Sequence, residues 1–157
     1  MTGDGVAEEW SRWNVGIVEA NQRVVEEFRA HGGEVGGYFA GAPMLLLHHV
    51  GAHSGVERVN PLVYLRDGDD LVVSASKGGD PHNPAWYHDL KAHPSVVVEV
   101  GTETVAVEAV EVTGPERDEL YARLAALRPA FAGYETRTDR VIPMFRLTPT
   151  TRSGQEP

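Results

Sequence analysis

The run Gly51-Ala52-His53-Ser54-Gly55-Val56-Glu57-Arg58 has the residue types of an anion-holding turn. Glycines near both ends let the backbone turn tightly and present its N–H groups, and His53, Ser54 and Arg58 add polar reach around them. Such a turn can hold a phosphate or a carboxylate. The simpler alternative is a hairpin turn carrying a surface arginine. A second run, Ala75-Ser76-Lys77-Gly78-Gly79, closes a strand-like segment and is followed by Asn83-Pro84-Ala85-Trp86-Tyr87. Gly78 and Gly79 let a ligand approach the backbone, Lys77 can pair with a negative group, and Asn83 with the following helix start offers N–H donors. Trp86 and Tyr87 can pack on a planar ring. The alternative there is a polar loop, a capped helix and two core aromatics.

Other chemistries fit poorly. His48 and His49 are adjacent, so on a strand they point to opposite faces; His88 and His93 do not share a helical face, and no H-x-x-x-H spacing occurs. No metal site is expected. Ser54 sits in Gly-Ala-His-Ser-Gly between two strands, which is not the serine-hydrolase G-x-S-x-G elbow, and no P-loop is present. The absence of cysteine excludes disulfides, thiolate metal sites and a cysteine nucleophile. A net charge of −9 argues against nucleic acid and against an anionic membrane surface. No apolar stretch approaches the roughly 20 residues of a membrane span, and the acidic start Met1–Glu9 is not a secretory signal. A cytoplasmic protein is expected.

These segments need a scaffold. The 157 residues suit one domain with a real core. Apolar residues at Trp10, Trp13, Ile17, Val24 and Phe28 predict a helix from Glu8 to Arg29, ended by His31-Gly32-Gly33. Packing of this helix on the barrel or on a partner is the reading, rather than a membrane surface. Gly32 to Pro43 reads as a glycine-rich connector. Strands are predicted at Met44–Val50, Val56–Leu65 and Leu71–Ala75, with Asp67-Gly68-Asp69-Asp70 as a hairpin turn and Pro61 marking an edge or bulge. Asn83 as N-cap and Pro84 in the first turn predict a short helix to Ala92. Val96–Val100 and Thr104–Val112 form a hairpin, and Thr113 with Glu116 has capping-box spacing before a helix whose face carries Leu120, Leu124 and Leu127. A last strand is expected at Val141–Leu147. The result is a mainly β protein with helices (α+β): about six antiparallel strands in a closed or nearly closed barrel. The expected division is a helix and linker at 1–35, the barrel at 36–149 and a polar tail at 150–157.

Six blocks in one order resemble the deazaflavin-dependent nitroreductase family of actinobacteria. They are Leu45-Leu46-Leu47, G-x-x-S-G-x-x-R-V-N-P-L at Gly51–Leu62, S-K-G-G at Ser76–Gly79, N-P-x-W-Y at Asn83–Tyr87, L-K-A-H-P at Leu90–Pro94 and T-D-R-x-I-P at Thr138–Pro143. The resemblance runs from about Gly36 to Pro149. It implies an FMN-binding-like split β-barrel that binds coenzyme F420 and passes a hydride to a quinone, enone or nitro compound. By position, the Gly51–Val59 loop, with His53, Ser54, Gly55, Arg58 and Val59, would hold the phosphate and acidic tail. Ser74, Ala75, Ser76, Lys77 and Gly78, with Asn83, Ala85, Trp86 and Tyr87, would line the deazaflavin and its ribityl chain. His48 and Pro61 join the cofactor set. Val63, Arg128, Phe131 and Tyr134 would form the substrate side.

The same resemblance assigns Ser76 a hydrogen-bond donor role near the ring and Tyr134 a donor role toward the acceptor. Relatives often carry two basic residues where this chain has Ala52 and His53, which leaves Arg58, Lys77 and a protonated His53 for the anionic tail. A tyrosine-rich substrate wall is reduced here to Arg128, Phe131 and Tyr134, so nitroimidazole activation is not implied. FMN on the same fold, or ligand binding without turnover, are the competing readings. Split barrels of this type are often homodimers.

Overall fold

The structure, a computed structural model, describes residues 19–76 (the side chain of Tyr38 apart), 83–136, 138 and 140–150. Helix α1 covers residues 19–30, and a short 3-10 turn, Gly37–Phe39, interrupts the connector that follows. Then come β1 (Met44–Val50), β2 (Glu57–Val63), β3 (Leu65–Asp67), β4 (Asp70–Ser74), α2 (Ala85–Ala92), β5 (Ser95–Val100), β6 (Glu103–Val112), α3 (Gly114–Leu127), α4 (Ala130–Thr136) and β7 (Met144–Pro149). All strand pairs are antiparallel, in one sheet of order β2-β1-β5-β6-β7-β4-β3 that curls into a half-barrel. Among the described residues no helix is long and apolar enough to cross a membrane.

Leucine, valine and methionine dominate the central strands because both faces of the sheet are covered. Met44, Leu46, Val72 and Met144 point to a cluster shared with Phe28 of α1, Leu120, Tyr121 and Leu124 of α3, and Phe131 of α4. Leu45, Leu47, Val73, Phe145 and Leu147 point the other way, to a cluster closed by Trp86 and Leu90 of α2. A run such as Met-Leu-Leu-Leu therefore needs no alternation. Gly33 closes the end of α1 onto the sheet: a Cβ there would lie 2.8 Å from Cα of Gly101 in the β5–β6 turn, so only glycine permits the approach.

Several sequence expectations change in detail. The predicted Val56–Leu65 strand is two strands, because the chain leaves the ladder at Tyr64, and the sheet has seven strands. Asn83 does not cap α2; Pro84 occupies the N-cap position without a side-chain hydrogen bond, and the Asn83 amide faces Arg140 instead. Thr113 is the N-cap of α3, but no capping box forms, since Glu116 reaches Arg146 at 2.8 Å. The last strand starts at Met144 rather than Val141, which is exposed. The stretch from Glu8 to 18, with Trp10, Trp13 and Ile17, lies outside the described residues.

Leucine spacing puts Leu127 on one face with Leu120 and Leu124, yet Leu127 is 48% exposed while Leu124 is fully buried. Leu124→Ala should therefore destabilise the fold by about 2–5 kcal/mol, and Leu127→Ala by no more than about 0.5 kcal/mol. Chemical denaturation of the two variants checks this; equal losses would mean that α3 is rotated about its axis.

Candidate functional site

Cross-strand partners share a face of the sheet. The β1–β2 register Met44↔Val63, Leu46↔Pro61, His48↔Val59 thus puts His48, Val59, Pro61 and Val63 on the face covered by α1, α3 and α4. Ser74 pairs with Met144 and so faces the same way, and the Ser74 and Ser76 hydroxyls lie 2.7 Å apart. Both serines are buried. Val63 and Phe131 belong to one buried cluster, with Val59 and Tyr134 packed against it. The Phe131 and Tyr134 rings meet edge to face at 5.2 Å. Segments distant in the chain therefore send predicted cofactor-side and substrate-side residues to one face.

The substrate-side wall is held from behind. Arg117 is buried on α3; its Nε donates to the Ile142 carbonyl at 3.0 Å, its Nη2 to Glu135 at 3.1 Å, and its guanidinium lies 4.6 Å from the Tyr121 ring centre. Tyr121 donates its hydroxyl to the Phe131 carbonyl at 2.7 Å, and burial pushes its phenol well above the ordinary range. Arg128, just before α4, lies with its guanidinium 5.8 Å from the Phe39 ring centre.

The anion turn is tighter than its composition suggests. The N–H groups of Gly51 and Gly55 bond within the turn, Val56 N–H reaches the Ser54 hydroxyl at 3.2 Å, and Ala52 N–H reaches Asp89 at 2.9 Å. A side chain at Gly51 would collide with that hydroxyl. Among the described residues this leaves the N–H groups of His53 and Ser54 for a ligand, beside an exposed Arg58 that makes no ion pair there. The donor set suits an anion.

Behind the turn is a buried polar group that the sequence does not single out. His49 Nδ1 donates to Asp89 Oδ2 at 2.6 Å, and its Nε2 faces Asn60 Oδ1 at 2.9 Å. Asp89 thus joins α2, β1 and the turn. By sequence His49 reads only as half of an adjacent histidine pair. His48, on the other face, donates Nε2–H to Glu99 at 2.6 Å, and Arg29 of α1 grips the same carboxylate at 2.6 Å. The arginine, opposed by partial desolvation and aided by His48, holds Glu99 below the usual carboxylate range.

Of the remaining predicted residues, Trp86 is buried on the opposite face against Phe145, and Tyr87 packs edge-on to Phe145 at 5.7 Å. Ala85 is exposed at the start of α2, and Ala75 is buried with Trp86. Lys77 and Gly78 lie outside the described residues. Arg140, which residue spacing does not single out either, donates to Asn83 at 2.8 Å and to the Ser76 carbonyl at 2.9 Å. Its one signal in the sequence is the T-D-R-x-I-P block. A separate open cleft of about 670 Å³, between Gly33, Pro43, Tyr64 and the β5–β6 turn, contains none of the predicted residues.

Residues 20–149 match the family model described as F420H(2)-dependent quinone reductase. An F420H(2)-dependent quinone reductase of Mycobacterium tuberculosis strain H37Rv is 42% identical over 127 residues, which are 77% of this chain and 84% of that protein. The solved structure of an F420-H2 dependent reductase, FDR-A, is 38% identical, with a TM-score of 0.62 over 67% of this chain and 93% of that one. A domain-swapped dimer, 32% identical, aligns with a TM-score of 0.63 over 90% of this chain and 98% of its own.

The Glu99 group gives a pH test. A depressed folded-state pKa contributes stability above the ordinary carboxylate range, and this is lost as pH falls through the depressed value. Glu99→Gln should be less stable than the parent at neutral pH, with the gap closing below about pH 4. Urea denaturation across pH checks this; a gap that does not narrow as the solution is acidified below the ordinary carboxylate range would mean that the charge is not what matters.

Proposed function

The chain belongs to the F420H(2)-dependent quinone reductase family, and from that premise we propose how its own residues divide the work of the reaction. The protein is an oxidoreductase that uses reduced F420 to reduce a quinone. When bound, the reduced deazaflavin supplies the hydride. Arg58, the free N–H groups of His53 and Ser54, and Lys77 hold the anionic tail. Ser74, Ser76 and Asn83 line the ring side. With Ser74 donating to Ser76, the Ser76 hydroxyl keeps its own proton for a hydrogen bond to the ligand. Val63, Phe131 and Arg128 wall the acceptor, and the Tyr134 hydroxyl donates to its carbonyl oxygen as negative charge develops there.

The observation that carries this assignment is the shared face: Ser74 at the end of β4, Val59 and Val63 on β2, and Phe131 and Tyr134 on α4 converge although they are far apart in sequence. Titration with F420 and FMN, then oxidation of reduced F420 by menadione, tests it. Arg58→Ala and Lys77→Ala should each weaken F420 binding by about 1–3 kcal/mol. Full affinity in both variants would put the tail elsewhere, and tight FMN binding without F420 binding would overturn the cofactor reading.

Self-association is read from a relative: the 32% identical structure that aligns over 90% of this chain is a domain-swapped dimer. A homodimer is the assembly proposed. Light scattering of the purified protein should give twice the chain mass; a monomer at micromolar concentration would refute it.

A further inference from the structure

Arg140 makes two contacts that no part of the reaction scheme uses. Nη1 donates to Oδ1 of Asn83 at 2.8 Å, and Nη2 donates to the backbone carbonyl of Ser76 at 2.9 Å. Ser76 follows β4, and Asn83 precedes α2. The ring-side residues assigned above come from both of these ends, and one guanidinium bridges them.

Three features say that this bridge is built for geometry. The acceptors of these two bonds, an amide oxygen and a backbone carbonyl, come from two different chain ends. The guanidinium is planar, and its terminal nitrogens have a fixed separation, so binding both oxygens fixes them relative to each other. The frame behind it is anchored: Ala75 N–H donates to the Pro143 carbonyl at 2.8 Å, and Arg140 N–H reaches the Thr138 hydroxyl at 3.3 Å. Asn83 adds a fourth indication. An Asn-Pro pair before a helix is a strong capping signal. Here the amide faces Arg140 and the helix goes without a side-chain cap. Local helix stability is forgone for the bridge.

We propose that Arg140 is a positioning residue for the deazaflavin: it sets the separation of Ser76 and Asn83, and so the width of the ring seat. This rests on the F420 reading given above. Arg140 acts through these two residues, with no contact of its own to the reacting atoms required.

The test compares the full-length parent, Arg140→Gln, Arg140→Lys and Asn83→Ala. F420 affinity is followed by fluorescence, reduced-F420 oxidation is measured with menadione as acceptor, and melting temperature is recorded. Arg140→Gln should raise the F420 dissociation constant and the KM for reduced F420 about tenfold, with full binding stoichiometry. Arg140→Lys keeps the charge but not the fork, so it should resemble the Gln variant. Asn83→Ala should show a smaller loss that does not add to that of Arg140→Gln. Should Arg140→Gln fail to fold, Arg140→Lys and Asn83→Ala carry the same comparison. Parent-like affinity in Arg140→Gln overturns the proposal. So does full rescue by lysine, which would make Arg140 a charge contact for the tail. A loss of active fraction at unchanged affinity would make it purely structural. If the parent itself binds no F420, the functional reading fails first.

Discussion

Strands β2 and β3 are consecutive in the chain, separated by Tyr64 alone, yet they stand at opposite edges of the seven-stranded sheet. Val63 and Leu65 can be no more than about 7 Å apart along the backbone. The sheet must therefore curl until its two edges nearly meet at that corner. Tyr64 N–H donates to the Pro43 carbonyl at 3.0 Å, which ties the corner to the segment entering β1. The edges do not pair with each other, so the barrel has a seam. Since β3 pairs with β4, the curl carries the Val59-Pro61-Val63 face of β2 round toward the strand that ends in Ser74 and is followed by Ser76. A seam without ladder hydrogen bonds is where a planar ligand can lie against backbone and side chains together, and the residues assigned to cofactor and acceptor flank it.

Curling places the segments roughly; buried polar contacts place them finely. Among the described residues no buried side-chain nitrogen or oxygen lacks a hydrogen-bond partner. The satisfied groups are concentrated where irregular chain meets the barrel: Asp89 and His49 behind the anion turn, Arg117 and Tyr121 behind α4. Each would be costly if half-made, because an unpartnered buried donor forfeits its hydration without return. That cost makes them specific. A displacement of α2, which carries Asp89, would strand Ala52 N–H and the His49 ring together, so α2 has one low-energy position against β1 and the turn.

Much of this is legible in the residues, for definable reasons. Runs such as Leu45-Leu46-Leu47 and Leu71-Val72-Val73, each bounded by glycine-containing turns, mark strands whichever face they serve, and the structure returns Met44–Val50 as predicted. The order of the six blocks points to the family. What fails is local chemistry overridden at a distance. Asn83 and Glu116 carry capping signals, but Arg140 and Arg146, from chain segments far downstream, compete for the same atoms. The split at Tyr64 is invisible locally, because it follows from closure of the whole sheet. Trp86 has the type of a ring-stacking residue, yet helix phase turns it to the opposite cluster with Phe145. Arg140 and Asp89 carry no local signal of their roles, since the partners of Arg140 are 57 and 64 residues away and those of Asp89 are 40 and 37 residues away.

The acidic balance of the chain bears on how an anionic cofactor tail is accepted at all. With a net charge of −9, the long-range field opposes such a ligand. Beyond about 8 Å at physiological salt that field is largely screened, so the decision is local. Several arginines are committed to the protein's own carboxylates: Arg29 to Glu99, Arg123 to Asp67, Arg146 to Asp67, Asp70 and Glu116. Those pairs remove both signs from the nearby field. Arg58, exposed on an edge strand beside two unused N–H groups, is left outside this compensation among the described residues. An acidic protein can thus keep a cationic spot at this turn, where the proposal puts the tail of the cofactor.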